Sequence, residues 1–544
     1  MHITLADRRP GTALLLLAAV PSMLEMAVLA GLGFFAPQPL APQVTAVWPY
    51  DSYHDLRWLL VYHDSWVTFA LGLVIVIAVR GLLSAGLTAL AWPPELPRPS
   101  WRWLVSRNLE VAALAIVIIS PWAAISVAFS AVALSWYLFA SVVPILLIAP
   151  FLQRAGVVRR WWRGLPSVAL LGWSLLNFLV LTLAGAVIVS VPAWARIFVA
   201  GLAGVVNALL WRRTVWAAAR RPVRWARVPV APIAIVITMV AAVGMPPLAK
   251  VAAGTGTWRP PLVTRPLPER VPYAVIVLAG FESRWDGQPP VDPRVARFSY
   301  AGTDDSGRPL PYRAEDTHRS LDSSAALLAT QIDALHQRTG RPVALAGESE
   351  GALVIRTFLD KLPRGPVEVA MLFSPLIWPG RAFYPRPGRD GWGVVTGWEL
   401  RAIAGVLNMF RNVDAGPDEP FVRSVIVEAP FYRNRILCPV PGVRVIAFLP
   451  LVGAAEAPPG EYSRVPVYEV AALHGDVLSR EDVYQQVIRF LSGERVDQPL
   501  RVYEVVQRLG AAWQPPPLVL EVNPLWSVGR EGDPAVTGRI CEAS

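Results

Sequence analysis

Pro342-Val343-Ala344-Leu345-Ala346-Gly347-Glu348-Ser349-Glu350-Gly351, followed by a helix-compatible run over residues 352–362, decides how the second half of this chain folds. A short apolar strand, a sharp turn and a helix form the context that a Gly-x-Ser-x-Gly elbow requires. Gly347 and Gly351 suit it because the turn is strained and neighbouring backbone must pack closely. Such a turn lifts the Ser349 hydroxyl above the end of a sheet, where a base can take its proton. A strand-to-helix turn that merely carries a serine has the same local pattern, so the weight falls on the surrounding elements.

Those elements are regular. Apolar runs over 273–279, 296–300, 343–346, 367–373, 443–449 and 465–470 predict strands, and 321–337 and 481–491 predict amphipathic helices. Strands alternating with helices imply a mostly parallel sheet covered on both faces. We expect a transmembrane domain over 1–254, a Pro/Gly/Thr-rich linker over 255–270 and an α/β domain over 271–498. A cap insertion over 376–440 and a tail over 499–544, with Pro515-Pro516-Pro517, complete the chain. Trp378, Phe383, Tyr384, Trp392, Trp398, Phe410, Phe421, Phe431 and Tyr432 crowd the cap. They suit either a pocket lining or the cap's own core.

The chain's net charge of +10 suggests nucleic acid until it is divided. Residues 1–254 hold 19 Lys+Arg against 7 Asp+Glu; residues 255–544 hold 31 against 33. The basic excess lies between apolar segments, which points to membrane topology and away from phosphate backbones. Seven spans of the required ~20 residues are expected, at about 11–35, 58–79 or 66–92, two within 109–152, 166–191, 194–211 and 228–248. Pro121 and the Ser135-Trp136 region are the candidate breaks in the long block. Arg8 and Arg9, the Arg98–Arg107 group, the Arg154–Arg163 group and the Arg212–Arg227 group then share one side. That side is the cytoplasm by the positive-inside rule, which places the N-terminus inside and residues beyond 250 outside. Glu25 and Arg80 fall within spans. They imply a proton or substrate path, a Glu25–Arg80 pair, or an arginine reaching the interface. Neither cysteine, Cys438 or Cys541, has metal-ligand spacing, and an outside location permits a disulfide between them.

Leu278-Ala279-Gly280-Phe281, the elbow around Ser349 and Leu473-His474-Gly475 resemble the α/β-hydrolase superfamily of serine hydrolases over residues 270–495. The whole chain resembles, less specifically, multi-pass membrane-anchored hydrolases of high-GC, actinobacterial-type bacteria. The resemblance implies a Ser–acid–His order. Of His318, His336 and His474, only His474 follows Ser349 by enough to fit. It also implies an oxyanion hole from the Glu350 N–H and that of Phe281 or Glu282. The acid should follow the strand at 443–449, where no aspartate stands; Glu456 is the candidate, with Glu461, Asp414 and Asp476 as alternatives. Glu348 and Glu350 flank the serine, either facing the site or pointing into helix-cap contacts or solvent.

The expected function is an integral plasma-membrane serine hydrolase, esterase- or lipase-like. It would act on membrane lipids or other acyl esters at the extracytoplasmic face, without metal or cofactor. Two alternatives use the same residues: an envelope acyltransferase, and an inactive hydrolase-like binding module of a membrane complex. A transporter with an attached hydrolase is disfavoured by the absence of internal repeats.

Overall fold

The computed structural model describes residues 9–129, 136–220, 227–238, 258–376, 384–411, 416–426, 436–452, 465–496 and 503–516. The N-terminal half is helical: α1 (Arg9–Gly31), α2 (Tyr50–Val61), α3 (Trp66–Ala91), α4 (Trp101–Phe129), α5 (Trp136–Ala155), α6 (Val168–Ser190) and α7 (Ala193–Arg220). Among the described residues five helices are long and apolar enough to cross a membrane: α1, α3, α4, α6 and α7. Their apolar side chains point outward as well as inward. Only 17% of the most apolar window of α3 is buried, as expected where lipid is the solvent.

Several boundaries correct the sequence expectation. The second span is Trp66–Ala91, which leaves His63 and Asp64 outside it and Arg80 inside. Pro121 does not break the long block, for it sits inside α4; most of the other candidate region, before Trp136, lies outside the described residues. Of the segment at 228–248, residues 230–238 are helical and the remainder lies outside the described residues. Glu25 and Arg80 do not pair with each other: Glu25 meets His54 and Arg80 holds Asp55.

The stretch between α1 and α3 is no surface loop. A 3-10 segment, Gln38–Thr45, descends between the long helices. Arg196, near the start of α7, donates to Gln38 Oε1 at 2.8 Å. Asn207 donates to the Pro42 carbonyl at 2.8 Å, and Trp211 Nε1 to the Thr45 carbonyl at 3.0 Å. The segment thus tracks α7 nearly to its arginine-rich end, and α2 climbs back. Irregular backbone at this depth is tolerable only because protein surrounds it and supplies its partners.

The C-terminal half carries a six-stranded, all-parallel sheet in the order β2-β1-β3-β4-β5-β6. The strands are β1 (Ala274–Leu278), β2 (Val295–Arg297), β3 (Val343–Glu348), β4 (Val367–Phe373), β5 (Arg444–Val452) and β6 (Val467–Leu473). Alternate residues feed two separate cores. Ile276, Leu345 and Leu372 pack under α8 (Leu321–Thr339) and α9 (Glu350–Lys361). Val277, Ala346 and Met371 pack under α11 (Glu481–Leu491), which follows the cap helix α10 (Val394–Arg411). The expected linker is part of this second core: Leu262, Val263 and Leu267 are buried, and Pro261–Thr264 forms one helical turn. Its prolines suit the first turn of a helix as well as a loop.

The two halves are stitched together at the cap. Gly391 and Gly393 N–H groups donate to the Asp64 and His63 carbonyls, each at 2.8 Å. His63 Nε2 accepts from the Val395 N–H at 2.9 Å, and Ser120 of α4 donates to Glu399 of α10 at 2.6 Å. The tail supplies a second stitch. Its described residues form α12 (Tyr503–Gly510) and then insert Ala512-Trp513-Gln514 among the helices. The Trp513 ring stacks on Phe178 at 4.6 Å, and its Nε1 donates to Thr182 at 2.9 Å. Arg57 donates to the Ala512 and Gln514 carbonyls at 3.4 and 3.1 Å. Gly185 leaves room for this: a Cβ there would stand 2.6 Å from that of Ala512. Trp513→Ala should cost about 3 kcal/mol of stability, the usual scale for emptying an aromatic site. A thermal midpoint in detergent equal to that of the wild type would show that the tail does not hold the bundle.

Candidate active site

The order of strands reverses across β1 and β3, and in open parallel sheets the crevice at the carboxyl ends of such a pair is where ligands bind. Both candidate loops emerge there. Ser349, between β3 and α9, takes φ 56° and ψ −113°, a left-handed conformation that costs about 1–3 kcal/mol for a side-chain-bearing residue. The glycines make it possible. A Cβ on Gly347 would sit 2.5 Å from the Gly351 carbonyl group, and one on Gly351 would sit 2.7 Å from the Leu278 side chain. Gly280, after β1, lies against the serine itself; a Cβ there would be 3.0 Å from that of Ser349.

His474 follows β6 and reaches across the sheet edge. Its Nε2 lies 2.9 Å from Ser349 Oγ. Loss of solvation around the ring pushes its pKa down to about 4, so the imidazole is neutral and able to accept the hydroxyl proton. No carboxylate is bonded to His474 among the described residues. Glu456, Glu461 and Asp414 all lie outside them, and Asp476 is exposed with no bond to the ring.

The backbone N–H groups of Phe281 and Glu350 have no hydrogen-bond partner among the described residues, whereas that of Glu282 donates to Thr317 Oγ1 at 3.0 Å. Of the two residues open in the sequence for the first loop, only Phe281 keeps its N–H available. Its ring is clamped between His318, at 4.9 Å, and the cap residue Phe421, at 4.8 Å. His318 Nε2 in turn lies 2.9 Å from Glu282 Oε1. Nothing in the sequence spacing announced this clamp.

The two glutamates flanking the serine point inward, away from any substrate. Glu350 is fully buried, and burial pushes its carboxyl well above the ordinary range. Burial thus disfavours a charge on the residue whose N–H is the candidate oxyanion donor. Glu348 accepts from the Val477 and Leu478 N–H groups at 3.0 and 3.2 Å and from the Ser374 hydroxyl at 3.3 Å. It ties the elbow to the loop that carries His474. Burial raises its pKa to about 7, against the lowering effect of those bonds.

Cys438 is buried in the sheet's first core; Cys541 lies outside the described residues, and with it the expected pairing. No known family model matches this chain, and no curated protein or solved structure is significantly similar to it.

Proposed function

We propose that this protein is an integral membrane serine hydrolase of α/β-hydrolase type, cleaving acyl esters outside the cytoplasm. The observation that carries the reading is the 2.9 Å contact between Ser349 Oγ, on a left-handed turn, and a neutral His474. In the proposed cycle Ser349 attacks the ester carbonyl while His474 takes its proton. The Phe281 and Glu350 N–H groups receive the oxyanion. His474 then protonates the leaving alcohol, and water resolves the acyl-enzyme. An acceptor alcohol in place of water would make the same machinery an acyltransferase. Glu456 remains the proposed acid. That no carboxylate among the described residues is bonded to His474 favours a second reading, an inactive binding module.

Lipid is the proposed substrate because the sheet domain packs on the apolar helices: α12 touches both β5 and α6, and the cap helix α10 rests on α4. Met409 and Val406 of α10 are exposed beside that apolar wall. Seven spans, counting α5 and residues 228–248, put the arginine-rich loops inside. Two contacts between those loops support the assignment: Arg107 donates to the Ala155 carbonyl and Gly164 to that of Val228. The cap binds the opposite end, at residues 60–64. In this topology a Cys438–Cys541 disulfide is chemically allowed.

A membrane-impermeant fluorophosphonate applied to intact cells tests both parts. Labelling that disappears in Ser349→Ala supports the reading. Labelling only after permeabilisation refutes the topology, and none in either condition favours the binding module.

A further inference from the structure

The re-entrant hairpin carries chemistry that anchoring does not need. Glu25 on α1, Asp51, His54, Asp55 and Arg57 on α2, and Arg80 on α3 gather inside the helical half. His54 is 3% exposed. Its Nε2 lies 2.9 Å from Glu25 Oε1 and its Nδ1 lies 2.9 Å from Asp55 Oδ1. Trp58 Nε1 also donates to Nε2, at 3.3 Å. Arg80 grips both oxygens of Asp55. Arg57 is engaged elsewhere, on the tail carbonyls and Gln43. Asp51 accepts from the Ser52 N–H at 2.6 Å and from the Ser84 hydroxyl at 3.5 Å.

Counting hydrogens gives the argument. A neutral imidazole has one N–H, and an ionised carboxylate has none. With a carboxylate at hydrogen-bond distance from each ring nitrogen, one contact lacks a hydrogen unless the trio holds an extra proton. Asp55 is ionised by its guanidinium partner, so the proton belongs to Glu25 or to the ring. The geometry places that proton on the Glu25–His54 contact, where Trp58 Nε1 also approaches Nε2 at 3.3 Å.

The groups also form a ladder through the bilayer. Measured along their own helices at 1.5 Å per residue, Glu25 lies about 9 Å from the outer end of α1, Asp51 about 15 Å from that of α2, and Ser84, which meets Asp51, about 27 Å from that of α3. Each of these positions falls within a hydrocarbon core of ~30 Å. Ionisable groups are costly there, and apolar packing would hold a hairpin at least as well.

We propose that Glu25, His54 and Asp55 form a proton-binding relay that carries protons across the helical half. The proton shared by Glu25 and His54 settles on Nε2, the Nδ1 proton passes to Asp55, and Asp51, one helical turn away, receives it next. No electrons move and the total charge is conserved. The relay requires the membrane placement but is independent of the esterase reading.

The test uses full-length protein in liposomes enclosing a pH-sensitive dye, with the membrane potential clamped. The wild type and Ser349→Ala should dissipate an imposed pH step faster than protein-free vesicles, and Glu25→Gln and His54→Gln should lose that excess. Gel filtration and the thermal midpoint in detergent identify folded variants. If His54→Gln fails to fold, the near-isosteric Glu25→Gln decides, with Asp51→Asn in reserve. A wild-type rate equal to that of empty vesicles overturns the relay, as does an undiminished rate in folded Glu25→Gln.

Discussion

Replacing His474 by Gln is expected to lower ester hydrolysis by about a thousandfold or more, the scale on which a serine nucleophile loses its base. The amide cannot accept and return a proton, yet it fills a similar space, so folding should be nearly unaffected. The same residue sets a pH signature. With its pKa pushed down to about 4, the ring stays neutral well below the ordinary histidine range. The His474 limb of kcat/KM should therefore fall only as pH approaches about 4. Stability follows the same sign: a group whose folded value is depressed binds fewer protons when folded. Its contribution is full above the unfolded value and is lost as pH falls toward the folded one. A His474 limb near the usual histidine value would instead show that a carboxylate reaches the ring. The wild type's pH profile, compared with that of His474→Gln, distinguishes the two.

Glu348→Gln should lower kcat by about tenfold or more with little change in KM, because Glu348 acts on the position of His474 and not on substrate. An amide keeps one acceptor oxygen, so Val477 and Leu478 lose a partner between them, and the new NH2 group opposes the other N–H. The titration of Glu348 gives this variant a readout that simple destabilisation would not move. In the wild type, protonation as pH falls through about 7 removes acceptor capacity facing the loop and should lower activity there. The glutamine variant should lose that inflection and retain only the limb of His474. A variant that keeps the inflection would show that another group is responsible.

How much of this was legible in sequence depended on whether the signal was local. The β3–turn–α9 unit announced itself because apolar alternation, two glycines and the helical run are contiguous. The Phe281 clamp, the Glu348 tether and the His54 trio are assembled from distant elements. No spacing rule brings Phe421 to Phe281 or Glu25 to His54. Hydropathy located the long helices but not the re-entrant hairpin, because Gln38–Val61 is too polar for a lipid-facing span and its burial is by protein alone. Pro121 misled for a physical reason: a proline breaks an isolated helix, but neighbours within a bundle stabilise the interrupted turn. Trp513, just ahead of the tail's proline run, anchors the chain among helices that are distant in sequence, so no local pattern marked it.

That anchor has a consequence for biogenesis. The helices of the N-terminal half leave the ribosome first, but the cleft beside Arg57 is filled only after the sheet domain has been synthesised. During that interval a buried guanidinium lacks the Ala512 and Gln514 carbonyls that later satisfy it. The packing of the helical half is therefore complete only once residues near the far end of the chain have joined it.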